Sequence, residues 1–151
     1  MSKEKNNMAV TAKLYSNFPH LLLEDKLAGS ILDQTIKVAL CTSSYTPAQD
    51  THDYFDDITN EVTGTGYTAG GATLASKTNT VSAKVTTFDA ADTSWAASTI
   101  TARYAILYYA TGTPGTSLLI GYIDFGADQS SSSGTFQITW NASGIFTITV
   151  A

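Results

Sequence analysis

Residues 36–42, Ile36-Lys-Val-Ala-Leu-Cys-Thr42, alternate cleanly. Ile36, Val38 and Leu40 fall on one face, and Lys37, Ala39 and Cys41 on the other. A period of two marks a strand with a face turned to a core. β-type runs recur over 100–109, 118–125, 136–140 and 145–150. Weaker strand patterns lie near 72–78, 80–87 and 93–96, with 89–92 as the turn before the last of these. Glycine, proline and serine punctuate the runs and place loops at 111–117 and 126–134. The second of these holds four consecutive serines before Gly134 and reads as flexible. Residues 141–144 close a last hairpin.

Within 100–109, the alternation puts Ile100, Tyr104, Ile106 and Tyr108 on one face. The opposite face carries Arg103, Leu107 and Tyr109, which is too apolar for free water and calls for a covering layer or a subunit contact. Phe136, Ile138 and Trp140 share a face that reads as core.

One segment breaks the period of two. Residues 18–29, Phe18-Pro-His-Leu-Leu-Leu-Glu-Asp-Lys-Leu-Ala-Gly29, read as a helix of about three turns. Asn17 is the expected cap, Pro19 suits the first turn and Gly29 ends it. Leu22, Leu23 and Leu27 form its apolar stripe, and His20 is expected at the surface near its start. Residues 10–16 read as a short strand or extended arm, and 1–9 as a polar tail in which Met8 is an alternative start. The expectation is an all-β, antiparallel β-sandwich or flattened barrel of seven to nine strands with one short N-terminal helix. Its organisation is an arm over 1–16 and a single domain over 17–151.

Composition changes the picture in one respect. Charged residues are only 14% of the 151, and polarity comes instead from 24 Thr and 15 Ser. A hydroxyl surface leaves fewer ions to desolvate when two proteins dock. Net charge is −5 with no basic stripe, so direct nucleic-acid binding is not expected. Cys41 is alone and excludes a disulfide within one chain. The first seven residues have no apolar segment, so no signal peptide is expected, and no run approaches the length of a membrane span, so no membrane association is expected.

Three stretches invite chemistry. The acidic loop holds Asp50, His52, Asp53, Asp56, Asp57 and Glu61, dense enough in oxygen donors for Ca²⁺ but without EF-hand spacing. The plainer reading is a loop of local turns offering negative charge to a partner. Gly64-Thr-Gly-Tyr-Thr-Ala-Gly-Gly71 lacks the Lys-Ser/Thr ending of a phosphate loop, and close approach of a neighbouring strand or subunit explains its glycines better. Ser131 has no nucleophile elbow around it. No catalytic residue, cofactor or metal site is expected.

Five pieces carry a resemblance. They are Ile36-Lys-Val-Ala-Leu-Cys-Thr-Ser-Ser-Tyr-Thr-Pro47, His52-Asp-Tyr54, Asn60-Glu-Val-Thr-Gly-Thr-Gly-Tyr-Thr-Ala-Gly-Gly-Ala-Thr-Leu74, Ile100-Thr-Ala-Arg-Tyr104 and Ile120-Gly-Tyr-Ile-Asp-Phe-Gly126. With the ending Trp140-Asn-Ala-Ser-Gly-Ile-Phe146, the chain from Ala9 onward resembles a group of small virion proteins of tailed bacteriophages. Pro19 and Leu21-Leu-Leu23 depart from that pattern, and the first seven residues resemble an extension. The resemblance implies a virion structural protein, made in the bacterial cytoplasm, with a capsid decoration or cement role as first expectation. A neck, tail or fibre component is the alternative within that class. A glycan-binding module using the loops at 45–56 and 111–117 is the alternative from another. The implied partners are the major capsid protein or other virion proteins and further copies of the chain. Lys13, Tyr15, Tyr45, Tyr54, Phe55, Tyr67, Arg103 and Tyr109 are the candidate protein-interface residues.

Overall fold

The computed structural model describes residues 10–24 and 26–150. The polar tail and the alternative start at Met8 lie outside the described residues. In chain order the elements are β1 (Thr11–Leu14), α1 (Phe18–Leu23), β2 (Ile36–Cys41), β3 (Ala72–Thr73), β4 (Thr78–Ser82), β5 (Val85–Asp89), β6 (Thr93–Tyr109), β7 (Leu119–Ile138) and β8 (Phe146–Thr149). They form two antiparallel sheets, a five-stranded one ordered β1-β7-β6-β2-β3 and a three-stranded one ordered β4-β5-β8. The architecture is an all-β sandwich with one short helix, as the alternation predicts.

The frame is the β6–β7 ribbon, with strands of 17 and 20 residues. Near its loop end it is flanked by β2, which pairs Ile36 with Tyr109 through to Cys41 with Tyr104, and by β1, which pairs Thr11–Leu14 with residues 124–121. Beyond that no further strand flanks it, and only a single bridge, Thr65 to Thr99, joins its side. Register shifts between Trp95 and Ser98, Ser98 and Ile100, and Ala102 and Tyr104 bend it, because an unpaired extra residue in one strand raises the local twist.

These bulges explain the first departure from the sequence reading. The shift at Ala102/Tyr104 reverses the alternation. Ile100 therefore packs with Ala102, Ala105, Leu107 and Tyr109 in the main core, while Tyr104, Ile106 and Tyr108 belong to a second cluster on the other face. The covering layer required by Leu107 and Tyr109 is supplied by the chain itself. Phe18 and Leu21 of α1, Leu27, and Phe88 of β5 lie in the same core. The opposite face is roofed by residues 42–61, whose Tyr45, Phe55 and Ile58 pack with Tyr15, Ala39 and Cys41. A central strand covered on both sides explains why all of β2 except Lys37 is buried.

Four further expectations are corrected. The helix covers six residues rather than twelve, and Asn17 makes no side-chain cap bond. Its buried residues are Phe18 and Leu21, with Leu27 returning to the core after the helix has ended, whereas Leu23 is 88% exposed. The serine run is not a loop: residues 126–134 lie inside β7, where Ser131 pairs with Ile100 and Ser130 with Thr101. The 72–78 strand shrinks to two residues, and a separate β4–β5 hairpin turns at Ala83 and Lys84, both at positive φ. Residues 141–144 do not close a hairpin but carry the chain across to β8, which pairs with β5. The arm at 11–14 adds itself to the edge of its own sheet beside β7.

The close approach expected of the glycine loop is made to strands of the same chain. A Cβ on Gly71, at φ +71°, would overlap the Val38 carbonyl, and one on Gly66 would meet Ser98 Cα at 2.8 Å. No helix among the described residues is long and apolar enough to cross a membrane.

Candidate functional site

The roof over residues 42–61 gathers most of the singled-out side chains, so it is the first place to seek chemistry. Its order comes from side chains that bond backbone. Asp57 Oδ2 accepts the Asp53 and Tyr54 N–H groups at 2.8 and 3.2 Å. Glu61 Oε1 accepts the Tyr67 hydroxyl at 2.7 Å and the Gly70 N–H at 2.6 Å, while the Tyr67 oxygen accepts the Leu40 N–H at 2.9 Å. The Ser16 hydroxyl donates to Asp50. Phe55 stacks on Tyr108 with centroids 4.2 Å apart. Asp50, Asp57 and Glu61 of the acidic loop are thus separate anchors. Among the described residues no three His, Cys, Asp or Glu side chains group as metal ligands.

Under the roof the Tyr45 hydroxyl is hydrogen-bonded to the Tyr15 hydroxyl at 3.0 Å and to His52 Nδ1 at 2.9 Å. Burial raises the Tyr15 phenol well above its ordinary range and pushes Tyr45 up to about 12. Burial, with the Glu61 charge behind it, pushes the Cys41 thiol up to about 12. These groups stay protonated and hold the roof to the sheet. A buried, protonated thiol is a poor nucleophile.

The eight candidate interface residues separate by exposure. Tyr15 and Tyr45 are each 1% exposed, and Tyr109 is buried as well, so all three are spent inside the chain. Tyr54, Phe55 and Tyr67 are half-buried in or under the roof. Lys13 is exposed on the β1 edge. Arg103 is held on the sheet surface: its Nε donates to Asp124 Oδ1 at 2.6 Å and its Nη2 to Oδ2 at 3.4 Å. That bond lowers the Asp124 carboxyl below its usual range and raises the guanidinium. The fold brings Tyr15 to Tyr45 and keeps Tyr54, Phe55 and Tyr67 in or under the roof, but sets Lys13, Arg103 and Tyr109 elsewhere.

Two features escape the sequence reading. The first is a groove of about 800 Å³ between β1, the outer part of β7 and the crossing to β8, lined by Phe125, Gln129, Gln137, Trp140, Asn141 and Ile145 among others. Trp140 belongs to its wall rather than to the closed core. Its indole Nε1 donates to the Ala91 carbonyl at 3.1 Å, which holds the ring in place. The second is the β8 edge, which among the described residues is one of the two free edges of the small sheet. Its signal was legible as a charge-free run: no charged residue occurs after Asp128.

Comparison with family models, with curated proteins and with solved structures found no match in any of the three.

Proposed function

We propose that the protein is a structural component of a tailed-bacteriophage particle, with capsid decoration as its role, acting through contacts with capsid protein and with its own copies. The observation that supports this most is how its polarity is used. Asp50, His52, Asp57 and Glu61 of the 42–61 roof bond the chain's own backbone and hydroxyls, while the long β6–β7 ribbon and β4 expose threonine, serine and glutamine. Such a surface docks with little ion desolvation. The segments that resemble virion proteins are the second support. A neck, tail or fibre station belongs to the same reading.

Counting copies in purified virions tests it. Decoration requires a number stoichiometric with the major capsid protein, and a neck or fibre station requires a few to a few dozen. Absence from intact particles sinks both.

One observation favours a second reading, glycan binding. The groove combines a half-buried Trp140 with the amides of Gln129, Gln137 and Asn141. Stacking on an indole with nearby amides is how sugars are held. Trp95 is buried, so tryptophan emission on adding host polysaccharide reports mainly on Trp140. A saturable change favours this reading, and its absence removes it.

A further inference from the structure

We infer that β8 is a self-pairing edge, joining two copies into one six-stranded sheet about a two-fold axis at Ile148. The inference stands apart from the particle reading, because the isolated chain is enough to test it.

An open sheet edge is a template for another strand, and proteins guard such edges with charge, proline, bulges or shortness. The other free edges are guarded here. β1 carries exposed Lys13, β3 is two residues long, β4 lies between Lys77 and Lys84, and the outer β6–β7 ribbon is bulged between Trp95 and Tyr104. β8 is four residues long, like β1, but Phe146-Thr-Ile-Thr149 carries neither charge nor proline.

Register fixes which groups face outward. Val150 N–H donates to the Lys84 carbonyl at 2.9 Å, in line with the β5–β8 pairing of Val85 with Thr149 and Thr86 with Ile148. Hydrogen-bonded pairs alternate along an antiparallel ladder, so Ile148 bonds β5 while the N–H and C=O groups of Thr147 and Thr149 point away from it. A second β8 laid antiparallel matches Thr147 with the partner copy's Thr149, and the reverse. That makes four hydrogen bonds and sets Ile148 opposite its own copy.

The side chains agree. Val81, Thr86 and Ile148 share one register row, on the side of the small sheet that carries Phe88 and Phe146. There the sheet has passed the end of its cover: Val81 is 74% exposed, Ile148 42% and Val150 65%. Pairing brings two copies of this apolar row side by side. Charge favours the same place. Two chains of net charge −5 repel, and β8 lets them meet without an ionic side chain on either strand. The contact is smaller than the roughly 800 Å² per partner of a standard interface, so a dissociation constant of about 10 µM or weaker is expected.

Cysteine scanning with sedimentation tests the pairing on the full chain. Residues facing each other at a non-hydrogen-bonded site have Cα atoms about 4.5 Å apart, within disulfide range. Ile148→Cys is expected to cross-link to a dimer under mild oxidation, and Thr147→Cys, offset from its copy and on the other face, is not. Native Cys41 is fully buried and does not compete. Wild type is expected to sediment faster as concentration rises. Ile148→Lys, and Thr149→Pro, which removes an outward N–H only, are expected to stay monomeric with wild-type melting curves. A wild type monomeric at millimolar concentration, equal cross-linking at 147 and 148, or association untouched by Ile148→Lys would each overturn the proposal.

Discussion

Tyr15 and Tyr45 are thirty positions apart in the chain and join hydroxyl to hydroxyl at 3.0 Å beneath the roof. This bond ties the segment after β1 to the 42–61 loop, and it makes the two phenols unequal. Tyr45 bonds both neighbours, whereas Tyr15 bonds only Tyr45. Tyr15→Phe leaves Tyr45 its His52 partner and is expected to cost about 1 kcal/mol. Tyr45→Phe strands the buried Tyr15 hydroxyl and is expected to cost about 2–3 kcal/mol. Urea unfolding of the two variants gives the order, and a Tyr15→Phe protein less stable than Tyr45→Phe contradicts it.

Alkaline pH acts on the same groups. Unfolded phenols ionise near pH 10, but burial raises Tyr15 and Tyr67 and pushes Tyr45 and Tyr108 up to about 12. Above about pH 10 the folded state therefore binds more protons than the unfolded state, and stability falls as pH rises. Absorbance at 295 nm is expected to show these four phenols ionising together with unfolding. Free ionisation of all eight tyrosines near pH 10 in a still-folded protein speaks against it.

The Arg103–Asp124 pair works at the other end of the scale. Hydrogen bonds from Arg103 and then from the Gly126 N–H lower the Asp124 carboxyl. Its contribution is present above the ordinary carboxylate value of about 3.9 and lost as pH falls through the lowered one. Side-chain exposures of 28% and 26% keep the effect small. Asp124→Asn is expected to flatten the acid limb of the stability profile and to leave pH 7–9 unchanged in slope.

Gly71 and Gly112 both sit at positive φ, yet they differ in surroundings. A Cβ on Gly71 would overlap the Val38 carbonyl, and one on Gly112 meets nothing within 4 Å. Gly112→Ala is expected to cost about 1 kcal/mol from backbone strain alone. Gly71→Ala must also push the loop off β2 and is expected to cost about 2–4 kcal/mol. Thermal melts of the pair separate strain from overlap.

Cys41 offers a probe of global opening. It is buried, and its thiol is pushed up to about 12. Labelling by a thiol-specific disulfide reagent is expected only at the rate of unfolding. Rapid labelling in native buffer contradicts the burial.

What the sequence disclosed follows from which signals are local. β2 was readable because Ile36, Val38 and Leu40 alternate without interruption. The serines at 130–133 were not, since serine has no strong strand preference and their place in β7 depends on Ile100 and Thr101, some thirty residues earlier. The face of Ile100 was misassigned because a bulge at Ala102/Tyr104 leaves no mark in the composition. Among the interface candidates, aromaticity could not tell Tyr15 and Tyr45, roofed by the 42–61 loop, from a ring left in a groove wall such as Trp140. That distinction is made by loops whose path depends on tertiary contacts.

The pairing of β1 with β7 imposes an order on synthesis. Residues 11–14 leave the ribosome long before residues 121–124 exist to receive them, and β5 likewise waits for β8. The nascent chain therefore carries unmatched strands until residues 146–149 have emerged. Folding is expected to wait for β8 and to be slow by the standards of helical proteins.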